Sequence, residues 1–213
     1  MANNNISDVG VASLAQQLHH LTALVELDLS INYIGYEGAL ALSLCIGNSP
    51  ALAKLEVQKN VLGDDGGEVI AGKLHQCKRL TCLDLSDNGL ADGAMKRLSE
   101  SLHSCSRLVH LNLSSSEFWD EGINALARAF PSCDRLVALD ISVNVLGQAA
   151  FETFASYITC LSSLTLLNLF GCGIDSTVGI APAECIERPI RHCNLSLSYQ
   201  ANAVKGMSRE RHS

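Results

Sequence analysis

The sequence predicts a right-handed α/β horseshoe, a solenoid with a parallel sheet on its concave face and helices on its convex face. Three observations predict it. Apolar residues recur every 28 positions, without insertion or deletion, along almost the whole chain. Each recurrence opens on residues that alternate apolar and polar, the period of a half-buried strand. Each closes on apolar pairs four residues apart, the spacing of one helix face. A unit of this kind cannot bury its apolar side alone, so its stability comes from stacking against its neighbours.

The elements follow in order. The chain opens within a repeat: Asn4 and Ile6 lie one period before Asn32 and Ile34, and a helix follows with Leu14 and Leu18 inward. The first complete strand is predicted at 24–29, Leu-Val-Glu-Leu-Asp-Leu, with equivalents at 52–57, 80–85, 108–113, 136–141 and 164–169. Leu24, Leu52, Leu80, Leu108, Leu136 and Leu164 head these strands. A polar position comes next: Asn32, Asn60, Asn88, Ser116, Asn144 and Cys172. An amide there can bond backbone groups in a tight turn, so stacked copies form a ladder, which Ser116 and Cys172 weaken. Asp8, Asp64, Asp92 and Asp120 share a later position, where each reads as an N-cap or first-turn residue of its own helix. The inward helical pairs are Leu42/Ile46, Ile70/Leu74, Leu98/Leu102, Leu126/Phe130 and Phe154/Ile158. Helices are wider than the strand spacing of about 4.8 Å, which makes the sheet side concave.

Toward the C-terminus, Leu195 and Leu197 continue the strand columns as a degenerate strand near 193–198. Pro182 falls on an inward helical position and is expected to break the helix before it. One domain is predicted over 1–202, with a partial repeat at 1–23, followed by a polar, disordered tail at 203–213. No polar cap covers the first repeat. Its apolar edge is expected to meet missing upstream repeats or another subunit.

The motif L-x-x-L-x-L-x-x-[N/C]-x-[L/I/F], in six copies, closely resembles the ribonuclease-inhibitor-like class of leucine-rich repeats, over roughly residues 4 to 202. The resemblance implies a non-enzymatic scaffold that recognises protein partners. The family also contains axonemal and actin-capping proteins, so a structural repeat fragment is a second reading. It contains the activator of the Ran GTPase as well. Against that third reading, the loop residues Tyr33, Val61, Gly89, Glu117 and Val145 include no Arg or Lys, and the long acidic tail of such activators is missing.

Charge and composition narrow the partners. A net charge of −7 argues against a nucleic-acid partner, whose phosphates need clustered Lys and Arg. No apolar run reaches the roughly 18 residues of a membrane span. The opening MANNNISDVG does not read as a signal peptide, and nine scattered cysteines form no disulfide framework, so a cytoplasmic, reduced-thiol protein is expected. Cys77, Cys105 and Cys133 share an inward position and read as small buried hydrophobes. His75 and His103 precede two of them, but no C-x-x-C pair supports zinc; Cys82 and His110, on adjacent strands, make no site alone. No catalytic motif converges and no cofactor is expected.

The outward strand positions are the candidate partner-binding surface. One column reads Asp28, Glu56, Asp84, Asn112, Asp140, Asn168 and Ser196, and the next reads Ser30, Gln58, Ser86, Ser114, Ser142, Phe170 and Ser198. With Glu26 and Asp87 the face carries six carboxylates against Lys54 and Lys59. These either steer a basic protein partner or keep the face soluble. Trp119, the only tryptophan, replaces the small residues Gly35, Gly63, Ala91 and Gly147. It either anchors a partner or folds back over Phe118. The candidate binding residues are therefore Glu26, Asp28, Glu56, Asp84, Asp87, Asp140, Phe170 and Trp119.

Overall fold

A computed structural model describes residues 1–18 and 22–173, together with the backbone of 194–196. Seven parallel strands stand side by side in chain order: β1 (Glu26–Asp28), β2 (Lys54–Glu56), β3 (Cys82–Asp84), β4 (His110–Asn112), β5 (Ala138–Asp140), β6 (Leu166–Asn168) and β7 (Asn194–Ser196). The register never slips: Leu27 pairs with Leu55, Leu55 with Leu83, and so on to Leu167 with Leu195. Among the described residues six helices alternate with the strands: α1 (Asp8–Leu18), α2 (Tyr36–Gly47), α3 (Gly63–Ala71), α4 (Asp92–Leu102), α5 (Asp120–Ala129) and α6 (Gln148–Ile158). Short 3-10 turns at Leu74–Gln76 and Phe130–Ser132 follow α3 and α5 and carry Leu74 and Phe130 into the core. Pro182, Leu197 and the 203–213 tail lie outside the described residues.

The strands are three residues long, where the sequence pattern marks six. At their start the Val25 carbonyl accepts both the Ala53 and Lys54 N–H groups, at 2.7 and 3.0 Å, and this sharing ends the regular ladder. Past their end single bonds continue, from Leu29 N–H to the Glu56 carbonyl and from Ile31 N–H to the Gln58 carbonyl. The chain then turns at a position that is left-handed in every described repeat, joined two residues later by Asn5, Gly89 and Gly173 in three of them. Asn3, Ile31, Lys59, Asp87, Ser115 and Val143 have φ between 51° and 59°, and Gly171 has φ 69°. Ile31 and Val143 are β-branched, and such residues resist this region most strongly.

The asparagine position works as a ladder across repeats. The Asn60 amide donates to the carbonyls of Val57 in its own repeat and Leu29 in the repeat before, while its Oδ1 accepts the Ile34 N–H. Asn144 repeats the pattern with Ile141, Leu113 and Ser116. At Cys172 the thiol donates to the Ile141 carbonyl at 3.2 Å, a partial substitute for an amide. At Ser116 the hydroxyl is buried without a partner. Inside this ladder runs one apolar core, in which Leu55, Leu83, Leu98, Leu126 and Phe154 are fully buried. Burying each such side chain contributes about 1.5–3 kcal/mol.

Asp8, Asp64, Asp92 and Asp120 lie in the first turns of their own helices, as the second of the two expected roles has it, and none is an N-cap. No helix N-cap whose geometry is defined receives a side-chain bond from its own cap residue. Each carboxylate instead reaches forward to the start of the next helix. Asp8 accepts the Gly35 N–H at 2.6 Å, and Asp120 accepts the Gly147 N–H at 2.7 Å. Asp92 accepts from Trp119 and Gly122, both at 2.8 Å. Asp64 takes the N–H groups of Ala91, Gly93 and Ala94. Stacking places a helix N-terminus one repeat away within reach, and its positive end favours the carboxylate.

Tyr36 occupies this column one repeat before α3, and α3 is the helix that starts irregularly. Its cap, Leu62, is already helical, Gly63 takes φ 65°, and the Gly63 N–H turns to the Asn88 carbonyl. The Oδ1 of Asn88, in the repeat that follows, has no partner. One missing carboxylate thus coincides with both local defects.

Candidate functional site

The outward residues of the strands form one continuous face. The Asp28 column is half-buried and internally bonded rather than freely projecting. Asp84 Oδ1 accepts both the backbone N–H and the hydroxyl of Ser86, at 3.0 and 2.6 Å, and Asp28 with Ser30 and Asp140 with Ser142 repeat the clamp. The second oxygens are bridged across strands: the Asn112 amide donates to Asp84 Oδ2 at 3.0 Å, and the Asn168 amide to Asp140 Oδ2 at 2.9 Å. Burial alone would raise the Asp28 pKa, but the side-chain and backbone bonds from Ser30 outweigh it and hold the carboxyl below its ordinary value. These carboxylates are fixed in position, with rotamers set before any partner arrives.

The serine column departs from expectation. Ser30, Ser86 and Ser142 are buried, their hydroxyls turned back onto the aspartates. The clamp uses them up, so they keep the face rigid and offer nothing outward. Phe170, the last described residue of the same column, is an exposed ring. Glu56 is half-buried and bridges to Lys54 at 2.9 Å, while Glu26 and Asp87 are exposed.

Between the clamped column and its neighbour lies an open depression of about 540 Å³ over β3 to β6. Its outer wall is Cys82, His110, Ala138 and Leu166, and its other wall is Asp84, Asn112, Asp140 and Asn168. The first of these columns changes character along the stack, from Glu26 and Lys54 through Cys82 and His110 to Ala138 and Leu166. One end of the face is therefore charged and the other apolar. Burial, with a smaller contribution from the Glu56 charge, raises the Cys82 pKa, so this thiol stays protonated near neutrality. Among the described residues no three His, Cys, Asp or Glu side chains come together as a metal site. No described helix is long and apolar enough to cross a membrane.

The family described as leucine rich repeat matches residues 18–43, 48–71 and 76–99. The fold is that of a leucine-rich-repeat solenoid. Solved structures agree on the fold. An internalin (inlF) from Listeria monocytogenes superposes with a TM-score of 0.59 at 20% identity, covering 93% of this chain and 52% of its own. Internalin C2 from the same organism gives 0.50 at 17%, covering 92% and 78%. This chain thus spans about half the length of the first of these internalins. No characterised protein matches the sequence.

The leucine-rich-repeat frame sorts the remaining candidates. Trp119 lies at the N-terminus of α5 with its side chain 61% exposed, beside the strand ends rather than on the sheet face. Its backbone N–H is held by Asp92, so the ring projects from a fixed point. Cys77, Cys105 and Cys133 are buried with their thiols directed at backbone carbonyls, and burial pushes Cys105 up to about 12. His75 and His103 bond backbone carbonyls at the ends of their helical segments, Gly72 at 2.8 Å and Ser99 at 2.9 Å. Sequence reading did not single out Ala138 and Leu166 as wall residues. The signal was present in their register with His110 and Cys82, but small and aliphatic residues on a strand read as core until the sheet shows which way they point.

Proposed function

We propose that the chain is a non-enzymatic scaffold of the ribonuclease-inhibitor-like, 28-residue class, that it works in the cytoplasm, and that it binds a protein partner on the sheet face and adjoining loops. The observation that carries this reading is the clamped lattice of Asp84, Asn112, Asp140 and Asn168 beside the depression lined by His110, Ala138 and Leu166. A preordered polar surface next to an apolar hollow binds with little rotamer entropy lost. The exposed Glu26 and Asp87 set the sign of the approaching charge, and Trp119 and Phe170 supply aromatic area at the rim. The seven described cysteines are all free, which suits a reducing compartment.

The test is capture from the native lysate with the full chain as bait, followed by affinity measurement with each identified partner. Leu166→Asp fills the hollow with charge and is expected to weaken binding at least tenfold. Glu26→Gln with Asp87→Asn is expected to slow association and reduce its salt dependence. A partner bound equally by all three proteins would contact another surface and refute the assignment.

A further inference from the structure

The convex side carries one departure from the repeat that the sheet face does not explain. In α4 three positions four residues apart are polar, Asp92, Lys96 and Glu100, and in α5 the equivalents are Asp120, Asn124 and Arg128. In α2 the same positions are Tyr36, Leu40 and Leu44, exposed by 46%, 43% and 61%. They form a single apolar ridge along the helix. Tyr36 stands where the aspartate column supplies a carboxylate to the next helix, so the ridge is present at the expense of a regular start to α3.

Beside the ridge, between α1 and α2, runs a groove of about 440 Å³ lined by Ala12, Ala15, Gln16, Ala41, Leu44 and Asn48. Three of these side chains are alanine, leaving room for aliphatic side chains from outside. About a two-fold axis that sets two α2 helices antiparallel, ridge meets ridge and groove meets groove, so both copies bury the same apolar surface. The charges point the same way. Glu37 is exposed at the N-terminal end of α2, and the Lys73 stem lies against Gly47 at its C-terminal end. Neither takes part in a salt bridge among the described residues. Antiparallel α2 helices bring opposite charges and opposite helix-dipole ends together at both ends of the contact, and parallel ones bring like charges together.

We propose that the chain pairs with a second copy of itself through the α2 ridge and the α1–α2 groove, with the two α2 helices antiparallel. The contact is independent of the sheet face, which stays open for a partner. A contact made by one helix ridge and its flanking groove on each copy is expected to give a weak, concentration-dependent dimer.

Sedimentation of the full chain between about 1 and 200 μM tests this, the upper limit set by a micromolar-range affinity. The wild type is expected to move from monomer to dimer across that range. Leu40→Glu with Leu44→Glu should remain monomeric, while its circular dichroism and melting show an intact fold. Glu37→Lys and Lys73→Glu singly should each raise Kd roughly tenfold at low salt, because the two-fold axis doubles each repulsion. Combined in one chain they should restore the wild-type Kd. A wild type that stays monomeric at 200 μM overturns the proposal. So does a dimer that survives the double Glu variant, or a double charge reversal that fails to restore pairing.

Discussion

Replacing Asp64 by alanine isolates the bond between neighbouring repeats. Its carboxylate accepts three backbone N–H groups of the following unit: Ala91 at 2.9 Å, Gly93 at 3.1 Å and Ala94 at 2.7 Å. An alanine at a helix cap costs about 0.5–2 kcal/mol, and a hydrogen bond to a charged group contributes about 1.5–3 kcal/mol. Asp64 is half-buried and part of its loss is repaid by water reaching the amides, so the expected destabilisation is about 2 kcal/mol. For a chain of this length that lowers Tm by about 4–8 °C. Asp64→Asn keeps the Oδ1 acceptor used by Ala91 and Ala94 but loses the charge, and about half the effect is expected. The local signature is decisive. Amide exchange by NMR should show Ala91, Gly93 and Ala94 losing protection while Gly66 and Gly67, at the start of Asp64's own helix, keep theirs. An unchanged Tm, or loss of protection at Gly66 and Gly67 with Ala91 and Ala94 intact, would refute an inter-repeat role.

Two further outcomes are expected. Burial pushes the Cys105 thiol up to about 12 and Cys77, Cys133 and Cys172 up to about 11, against an ordinary value of 9.0. The folded chain therefore keeps protons that the unfolded chain has released, so the stability from these thiols is complete below pH 9 and falls as the pH rises toward 11–12. Urea midpoints measured from pH 8 to 10.5 should decline beyond pH 9, less steeply in Cys105→Ala, and a flat profile would contradict the burial argument. Ile31 and Val143 hold left-handed backbone while 46% and 49% exposed. Replacing either by asparagine should stabilise the chain by about 1 kcal/mol, a rise in Tm of about 2–4 °C, because little packing is lost and the strain is relieved. Melting curves that do not rise would show that the turn is not strained at these residues.

The ladder and the aspartate column show where sequence reading succeeds and where it stops. The Asn32, Asn60, Asn88 and Asn144 recurrence identifies the turn, since a buried amide at a fixed interval has one economical use. The Asp8, Asp64, Asp92 and Asp120 recurrence is equally visible and places each in the first turn of its own helix, yet it does not reveal which backbone groups the carboxylate bonds. Whether a carboxylate bonds its own helix or the next depends on the distance between stacked helices. The left-handed column escaped notice for another reason: a position held by Ile31, Lys59 and Val143 carries no glycine signature. The candidate face was half legible. The carboxylates of Asp28, Asp84 and Asp140 stood out as charges, while their serine clamps, which remove Ser30, Ser86 and Ser142 from the surface, required the hydroxyl geometry.

The sequence by itself determined that this is a leucine-rich-repeat solenoid, that its strands stack in parallel one period apart, and which residues fill its core. Periodicity carries that information because every unit solves the same burial problem with the same residues. Only the tertiary structure decided which polar groups remain available at the surface and where the hollow lies. It also decided which repeat receives each carboxylate and how Tyr36, Leu40 and Leu44 line up outside. Those properties arise between repeats, from side chains about 28 residues apart whose contacts exist only once the units have stacked.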